Sequence, residues 1–358
     1  MGGRFHHANV RLALTFVFMI VVTGATGLIG SHICLELARR GEIVRGMYAA
    51  AGSPEGDSKK KAERVFRFWE PNQAETLLRR VDWVAGDVLE TESLCEAFRG
   101  ADKVIHAAGL VSFHPRDIHR LYSVNGEGTA NVVNAALHSG VRRFVHISSV
   151  AALGRSRNGE LITEQTEWKT SSRNSVYAVS KFQAEREVWR GKEEGLDILV
   201  LNPGVVLGPS GNGGSSASLF DAVLQGLKFY STGSNGFTNI LDIVDAALAE
   251  GENYYGGRYI VVSRNMPYKD ILYAVAKGFG LKPPGIAVNS WMTGIVWRAF
   301  ALKDILTGSR SLITRETVKN ASSSYYYSSE KLEKVLGRKM RGIDEIIPDT
   351  CRFFTGLR

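Results

Sequence analysis

The chain has 358 residues, 44% of them hydrophobic and 22% charged, an ordinary globular composition with enough length for a sizeable core in one large domain or two. Its cysteines, Cys34, Cys95 and Cys351, lie far apart and without metal-ligand spacing, which excludes a disulfide framework, leaves no metal site to expect, and suits a reducing, cytoplasmic setting. The net charge of +8 is dispersed, and its one dense run, Lys59-Lys60-Lys61 with Arg64 and Arg67, has no interleaved aromatics, so it reads as a solvated helix face and no nucleic-acid partner is expected.

Arg4 and Arg11 precede an apolar run from Leu12 to Val22. No small-residue cleavage site follows, Thr15 interrupts the run, and a bilayer-spanning helix needs about 20 residues. Residues 1–18 are therefore expected to be an extension, with Met19 as the functional start. Phe16 to Val22 reads as a parallel strand buried on both faces. Leu28, Ile29, Ile33, Leu35, Leu37 and Ala38 then recur at helical spacing up to Arg39-Arg40-Gly41. The turn between them, Gly24-Ala25-Thr26-Gly27-Leu28-Ile29-Gly30, spaces its glycines as G-x-x-G-x-x-G. Glycines between a strand and a helix leave backbone N–H groups and the positive helix end aimed at the loop, where a pyrophosphate fits.

Glu42 to Tyr48 is the second predicted strand, and a dinucleotide enzyme selects its cofactor at that strand's end. No acid stands there to take a ribose 2′-OH, which leans toward NADP over NAD, with Arg45 and the lysine cluster as candidate phosphate partners. Gly52 to Asp57 is a turn-rich loop, Lys60 to Arg80 a helical insert, and Val81 to Val88 a third strand ending in Asp87. That acid is placed either to accept from an adenine amino group or to cap a turn. Lys103 to Ala107 is the fourth strand, with His106-Ala107-Ala108-Gly109 as its small-residue exit. Tyr122 to Ser139 is a helix with Asn125 near its start, where a capping role is open. Arg142 to Ser149 is the fifth strand, Ser175 to Glu194 a long helix, and Asp197 to Leu201 a sixth strand leading to Asn202-Pro203-Gly204. This alternation predicts an α/β fold built on a doubly wound parallel Rossmann sheet. Beyond Gly204 come a flexible loop at Ser210 to Ser216, a return to the core at Phe237 to Asp245, a further strand at Arg258 to Val262, and a mostly helical C-terminal region.

Tyr177-Ala178-Val179-Ser180-Lys181 puts a phenol and an ammonium on one helix face. A tyrosine hydroxyl titrates near 10 in water, and a neighbouring ammonium favours its phenolate, which lets it exchange protons at neutral pH. Ser149, at the preceding strand's end, can donate to a substrate oxygen. The glycine turn, the Asp after strand three, His-Ala-Ala-Gly, Ser-Ser, Tyr-x-x-x-Lys and Asn-Pro-Gly, in that order, resemble the extended short-chain dehydrogenase/reductase family. The stretches Ser123 to Val132, Ile147 to Gly154, Phe237 to Asp245 and Tyr326 to Lys331 are similar to its dihydroflavonol reductase, 3β-hydroxysteroid dehydrogenase and hopanoid-associated epimerase branch.

The resemblance implies Tyr177 as acid/base, Lys181 as ribose ligand and modulator of Tyr177, Ser149 as the substrate-orienting hydroxyl, and Asn125 as part of a proton relay. It implies a cofactor site formed by Gly24, Thr26, Gly27, Leu28, Ile29, Gly30, Asp87, Val88, Ala107, Ala108, Gly109, Tyr177, Lys181, Asn202, Pro203 and Val205. It also divides the chain into an NAD(P)-binding part, 19–203 and 238–262, and a substrate-binding part, 204–237 and 263–358, and makes a homodimer through the Asn125 and Tyr177 helices an expectation. Several positions depart from the family pattern. Ala49 stands where many members carry Arg, Val150-Ala151 where sugar dehydratases carry Asp-Glu, and Asn202 where many epimerases carry Arg. The expected activity is interconversion of a secondary alcohol and a ketone on a small apolar or polycyclic substrate. A sugar epimerase is the alternative; a non-catalytic NAD(P) sensor or scaffold would be expected to lose Tyr or Lys, and both are present. Trp291, Met292, Ile295, Val296, Trp297, Phe300, Ala301 and Ile305 form an apolar helical stripe, read as core or dimer packing, as a pocket wall, or as a membrane-surface contact aided by Arg298 and Lys303.

Overall fold

The computed structural model describes residues 18–49, 58–155, 159–171, 174–211, 217–251, 254–288 and 315–356. The N-terminal extension up to residue 17, most of the 210–216 loop and the Trp291 to Ile305 stripe lie outside the described residues. β1 (Met19–Thr23) leads to α1 (Leu28–Arg40), then β2 (Ile43–Tyr48), α2 (Lys59–Trp69), α3 (Ala74–Arg79), β3 (Val81–Ala85), α4 (Thr91–Phe98) and β4 (Lys103–His106). There follow α5 (Ile118–Leu121), α6 (Gly128–His138), β5 (Arg143–Ile147), β6 (Leu161–Ile162), α7 (Val176–Glu193), β7 (Asp197–Pro203) and β8 (Val205–Leu207). α8 (Ala217–Leu224), β9 (Phe229–Ser231), β10 (Ser234–Asn239), α9 (Ile240–Leu248), β11 (Gly257–Val261) and β12 (Arg264–Pro267) come next, ahead of further helices at Tyr268–Gly278, Arg315–Ala321, Glu330–Leu336 and Ile343–Thr355.

Seven strands pair in the order β11-β7-β5-β4-β1-β2-β3, every pairing parallel. Each strand of such a sheet is reached by a helical crossover, so both faces are covered, and the strands read as apolar runs rather than alternations. One face packs Ile20, Val22, Ile105, Val145 and Leu199 beneath α1 and α9, and the other packs Val21, Val104, Phe144, Ile198 and Val200 beneath α4, α6 and α7. The order in which strands are added reverses between β1 and β4. In a doubly wound sheet a ligand crevice opens there, outside the strands' carboxyl ends.

The second predicted helix is two helices: α2 ends at Trp69 and α3 begins at Ala74, across the turn at 71–73. The helix expected from Tyr122 opens into one wide turn over Tyr122–Glu127 before α6. Beyond Gly204, β8, β10 and β12 form a three-stranded sheet, β8 parallel and β12 antiparallel to β10. Its buried Leu207 and Phe237 belong to the same core cluster as Ile20 and Val22. Asp242, on α9 and fully buried, accepts from Arg338, from the side chain and N–H of Arg341, and from Ser263, so it holds the C-terminal segment against the core.

Candidate active site

The glycine turn lies at the reversal point. Gly24 has φ +64°, and a Cβ there would come within 2.6 Å of the Ala108 nitrogen, so the turn sits directly against the exit of β4. A Cβ at Gly30 would lie 2.2 Å from the Gly24 oxygen, so α1 packs this closely on the turn only with glycine. Side chains strap the same place: Thr23 Oγ1 bonds His106 Nδ1 at 2.7 Å and accepts from the Ala108 N–H at 3.3 Å, while His106 Nε2 bonds Thr129 at 3.1 Å. Burial holds His106 neutral, its pKa lowered to about 3, with the Lys181 charge adding to the effect.

A dinucleotide fits this end of the sheet. Gly27 caps α1 without a side-chain bond and no acid stands in the first turn, so the positive helix end meets an anion unopposed. At the other end of the crevice Asn202 Oδ1 is buried with no partner among the described residues, an acceptor for a donor that the chain itself does not provide. Asp87 is exposed and accepts from the Leu89 N–H at 2.9 Å, a turn-capping bond that occupies one of its two oxygens. Val88 is buried and faces Gly128. Arg45 does not turn toward the end of β2: its Nε donates to Asp82 at 2.7 Å and its Nη1 to the Ala97 carbonyl at 3.0 Å. Lys59, Lys60 and Lys61 open α2, and Ser58 just before them donates to the Ala49 carbonyl at 2.9 Å, tying that helix start to the end of β2.

The second constellation assembles beside the first, from the ends of β4 and β5 and the first turns of α7. Ser175 caps α7 by accepting from the Ala178 N–H at 3.1 Å. Tyr177 follows, half-buried, with Ser149 near its hydroxyl. Burial pushes the Tyr177 phenol above its ordinary value, and the Ser149 hydroxyl opposes that rise. One turn on, Lys181 is 5% exposed and donates to the Ile147 carbonyl at 3.0 Å. Burial lowers its pKa to about 8, with the Glu185 carboxylate pulling the other way. Gly109 closes the group, since a Cβ there would lie 3.4 Å from Asn125 Oδ1 and 3.9 Å from Lys181 Nζ.

Asn125 is no helix cap. Its amide donates to the Leu110 carbonyl at 3.0 Å and to Ser180 Oγ at 2.9 Å, and its oxygen accepts from the Leu110 N–H at 2.8 Å. The wide turn at Tyr122–Glu127 is what carries this side chain inward, toward the loop after β4 and the α7 face. Ser149, Tyr177, Lys181 and Asn125 thus meet in one place, with Asn202 attached through its bond to the Ser149 carbonyl at 3.0 Å. Pro203 ends β7, and Val205 enters the small sheet opposite Phe237.

Residues outside the predicted set also converge here. The Phe113 ring meets the Tyr177 ring edge-on at 5.6 Å between centroids. Glu316, from the C-terminal region, accepts from the Val176 N–H at 3.3 Å, at the start of α7. Glu185, one turn past Lys181, is buried among Ser148, Asn202 and Arg258. Its spacing of four from Lys181 was the only sign of it in the sequence.

Comparison with known proteins gives the family. The chain is 26% identical over 348 residues to a putative dihydroflavonol 4-reductase of Synechocystis, covering 93% of both chains. It is 29% identical over 276 residues to cinnamoyl-CoA reductase 1 of Petunia hybrida, covering 73% of this chain and 77% of that one. The crystal structure of gox2253 superposes with a TM-score of 0.75 at 26% identity, covering 95% of this chain and 98% of the other. The profile of the NAD dependent epimerase/dehydratase family matches residues 20–259, from β1 into β11, and the chain therefore belongs to that enzyme family, as its order of motifs predicts.

Proposed function

We propose that the protein is an NAD(P)-dependent oxidoreductase that interconverts a secondary alcohol and a ketone. The observation that carries this reading is the placement of Tyr177, with Ser149 close enough to act on its phenol, one turn before the buried Lys181 ammonium, at the carboxyl ends of the strands next to the glycine turn. When bound, the nicotinamide supplies or accepts the hydride. The chain's own residues handle the proton: Ser149 donates to the substrate oxygen and holds it at the Tyr177 hydroxyl, which delivers a proton to the forming alkoxide during reduction and removes it during oxidation. Lys181 stabilises the phenolate that reduction leaves behind, and Asn125 fixes the loop after β4 and Ser180 around that ammonium. Gly24, Thr26, Gly27, Leu28, Ile29 and Gly30 would hold the pyrophosphate, Asp87 and Val88 the adenine, Ala107, Ala108 and Gly109 the middle of the cofactor, and Asn202, Pro203 and Val205 the nicotinamide end.

An apolar or aromatic substrate is supported by the Phe113 ring against Tyr177, by Val150-Ala151 after Ser149 in place of acids that would drive elimination, and by the similarity to reductases named for dihydroflavonol and cinnamoyl-CoA. Residues 204–237 and 263–358 would shape that pocket. The absence of an acid at the end of β2, together with lysines opening the helix tied to Ala49, favours NADP. A higher kcat/KM with NADPH than with NADH on a carbonyl panel is the expected result, and the reverse order would overturn the preference. Tyr177→Phe is expected to abolish turnover while cofactor binding persists; full turnover in that variant would refute the mechanism. Turnover of a nucleotide sugar with no net change in reduced-nicotinamide absorbance would favour the epimerase alternative.

A further inference from the structure

We propose that Glu185 is a positioning residue for Ser149, Tyr177 and Lys181: a buried carboxylate that ties the ends of β5 and β7 to α7, with Arg258 of the edge strand as its counter-charge. This rests on the oxidoreductase chemistry proposed for those three side chains.

Tyr177, Lys181 and Glu185 succeed one another four residues apart, on one face of α7. Glu185 is 1% exposed, and its Oε1 accepts from Ser148 Oγ at 2.6 Å and from Asn202 Nδ2 at 2.5 Å. The same Asn202 amide donates to the Ser149 carbonyl at 3.0 Å. One carboxylate oxygen therefore fixes the residue before Ser149 and the side chain that holds the Ser149 carbonyl. It does so from the helix that carries Tyr177 and Lys181. Displacing Glu185 would let the β5 exit slide against α7, and Ser149 and Tyr177 face each other across that junction.

The second oxygen lies 3.1 Å from an Arg258 nitrogen, across the width of β7 from the catalytic helix. Arg258 also lies over the Trp189 ring at 5.4 Å, and its carbonyl accepts from Lys331 at 2.8 Å. A buried ion pair is a poor source of stability, because desolvation offsets its attraction and apolar residues of like size serve as well. Its place one turn from Lys181 gives it another use. The groups facing Lys181 are Glu185 on its own helix, Tyr177 one turn back, and His106 and His146 on β4 and β5, both held neutral by burial. Glu185 is the negative charge among them. It favours the ammonium over the neutral amine, and Arg258 stands against it as counter-charge.

The test uses the cofactor-free protein first. Titration of the Lys181 13Cε signal, assigned by its loss in Lys181→Arg, should show a midpoint lowered by about one pH unit in Glu185→Gln. In the holoenzyme the same variant should lose about tenfold or more in kcat with little change in cofactor KM. Arg258→Met alone strands a buried carboxylate and should lower the melting temperature. The double variant Glu185→Gln/Arg258→Met removes both charges: its melting temperature should recover while the low Lys181 midpoint and low kcat persist. It also decides the matter if Glu185→Gln does not fold. An unshifted Lys181 midpoint, or wild-type kcat in the double variant, would overturn the proposal. Failure of the underlying reading is separate, since it shows as turnover in Tyr177→Phe whatever the Lys181 midpoint does.

Discussion

Replacing Lys181 with methionine gives a stability difference whose pH dependence follows from burial alone. The ammonium is 5% exposed, and burial moves its pKa from 10.5 to about 8. Between those two values the unfolded chain binds a proton that the native chain has released, so native stability rises with pH across that window. By linkage the buried lysine costs the native state about 3 kcal/mol at pH 7 and about 1 kcal/mol at pH 10. Lys181→Met has no proton to lose. It forfeits the bond to the Ile147 carbonyl, a loss that does not vary with pH. Urea unfolding of both proteins at pH 7 and pH 10 isolates the effect, because every other titrating group cancels between them. Relative to wild type, the variant should be less favoured at pH 10 than at pH 7 by about 2.5 kcal/mol. An identical difference at the two pH values would refute the reasoning, and would mean that the native lysine titrates like an exposed one.

Two other perturbations address the frame around the site. Gly30→Ala forces a methyl to within 2.2 Å of the Gly24 oxygen, so the turn must move off α1. A stability loss of about 1–3 kcal/mol by denaturant titration and weaker NADP(H) binding by thermal shift are expected, and unchanged cofactor affinity would contradict the cradle. Asp242→Asn keeps the size of a fully buried side chain but removes the charge that Arg338 and Arg341 share. It should cost about 2–3 kcal/mol, read as a lower urea midpoint with an unchanged slope; a midpoint within error of wild type would show that the C-terminal segment is held by its apolar contacts instead.

Local pattern carried much of the fold because the strands are short, apolar and covered on both faces. Val21-Val22 before Gly24 and Val104-Ile105 before Ala107 are parallel strands by composition alone, and the order of motifs gave the succession of strands that lead to them. The split of the 60–80 helix was legible at Pro71-Asn72, where proline withdraws a backbone donor and disfavours helix in the residue before it, but the apolar residues on either side read as one helical insert. The inward aim of Asn125 escaped for a different reason. An asparagine near a helix start is a cap in most settings, and only the wide turn at Tyr122–Glu127 swings it onto Leu110 and Ser180. Arg45 read as a phosphate partner from its place near a strand end, but alternation along β2 sends it toward Asp82.

By itself the sequence determined the glycine turn, the parallel alternation and the Tyr-x-x-x-Lys face, since each depends on neighbours within a few residues: φ freedom at Gly24, burial of an apolar run, and a helical period of four. The tertiary structure alone decided that Gly24 meets Ala108, that Ser149 comes near the Tyr177 hydroxyl, and that Glu185 sits among Ser148, Asn202 and Arg258. Those partners lie tens of residues apart. Only the strand order, which reverses between β1 and β4, brings their carboxyl ends to one crevice, and a buried charge finds its partners only after the sheet that buries it has formed.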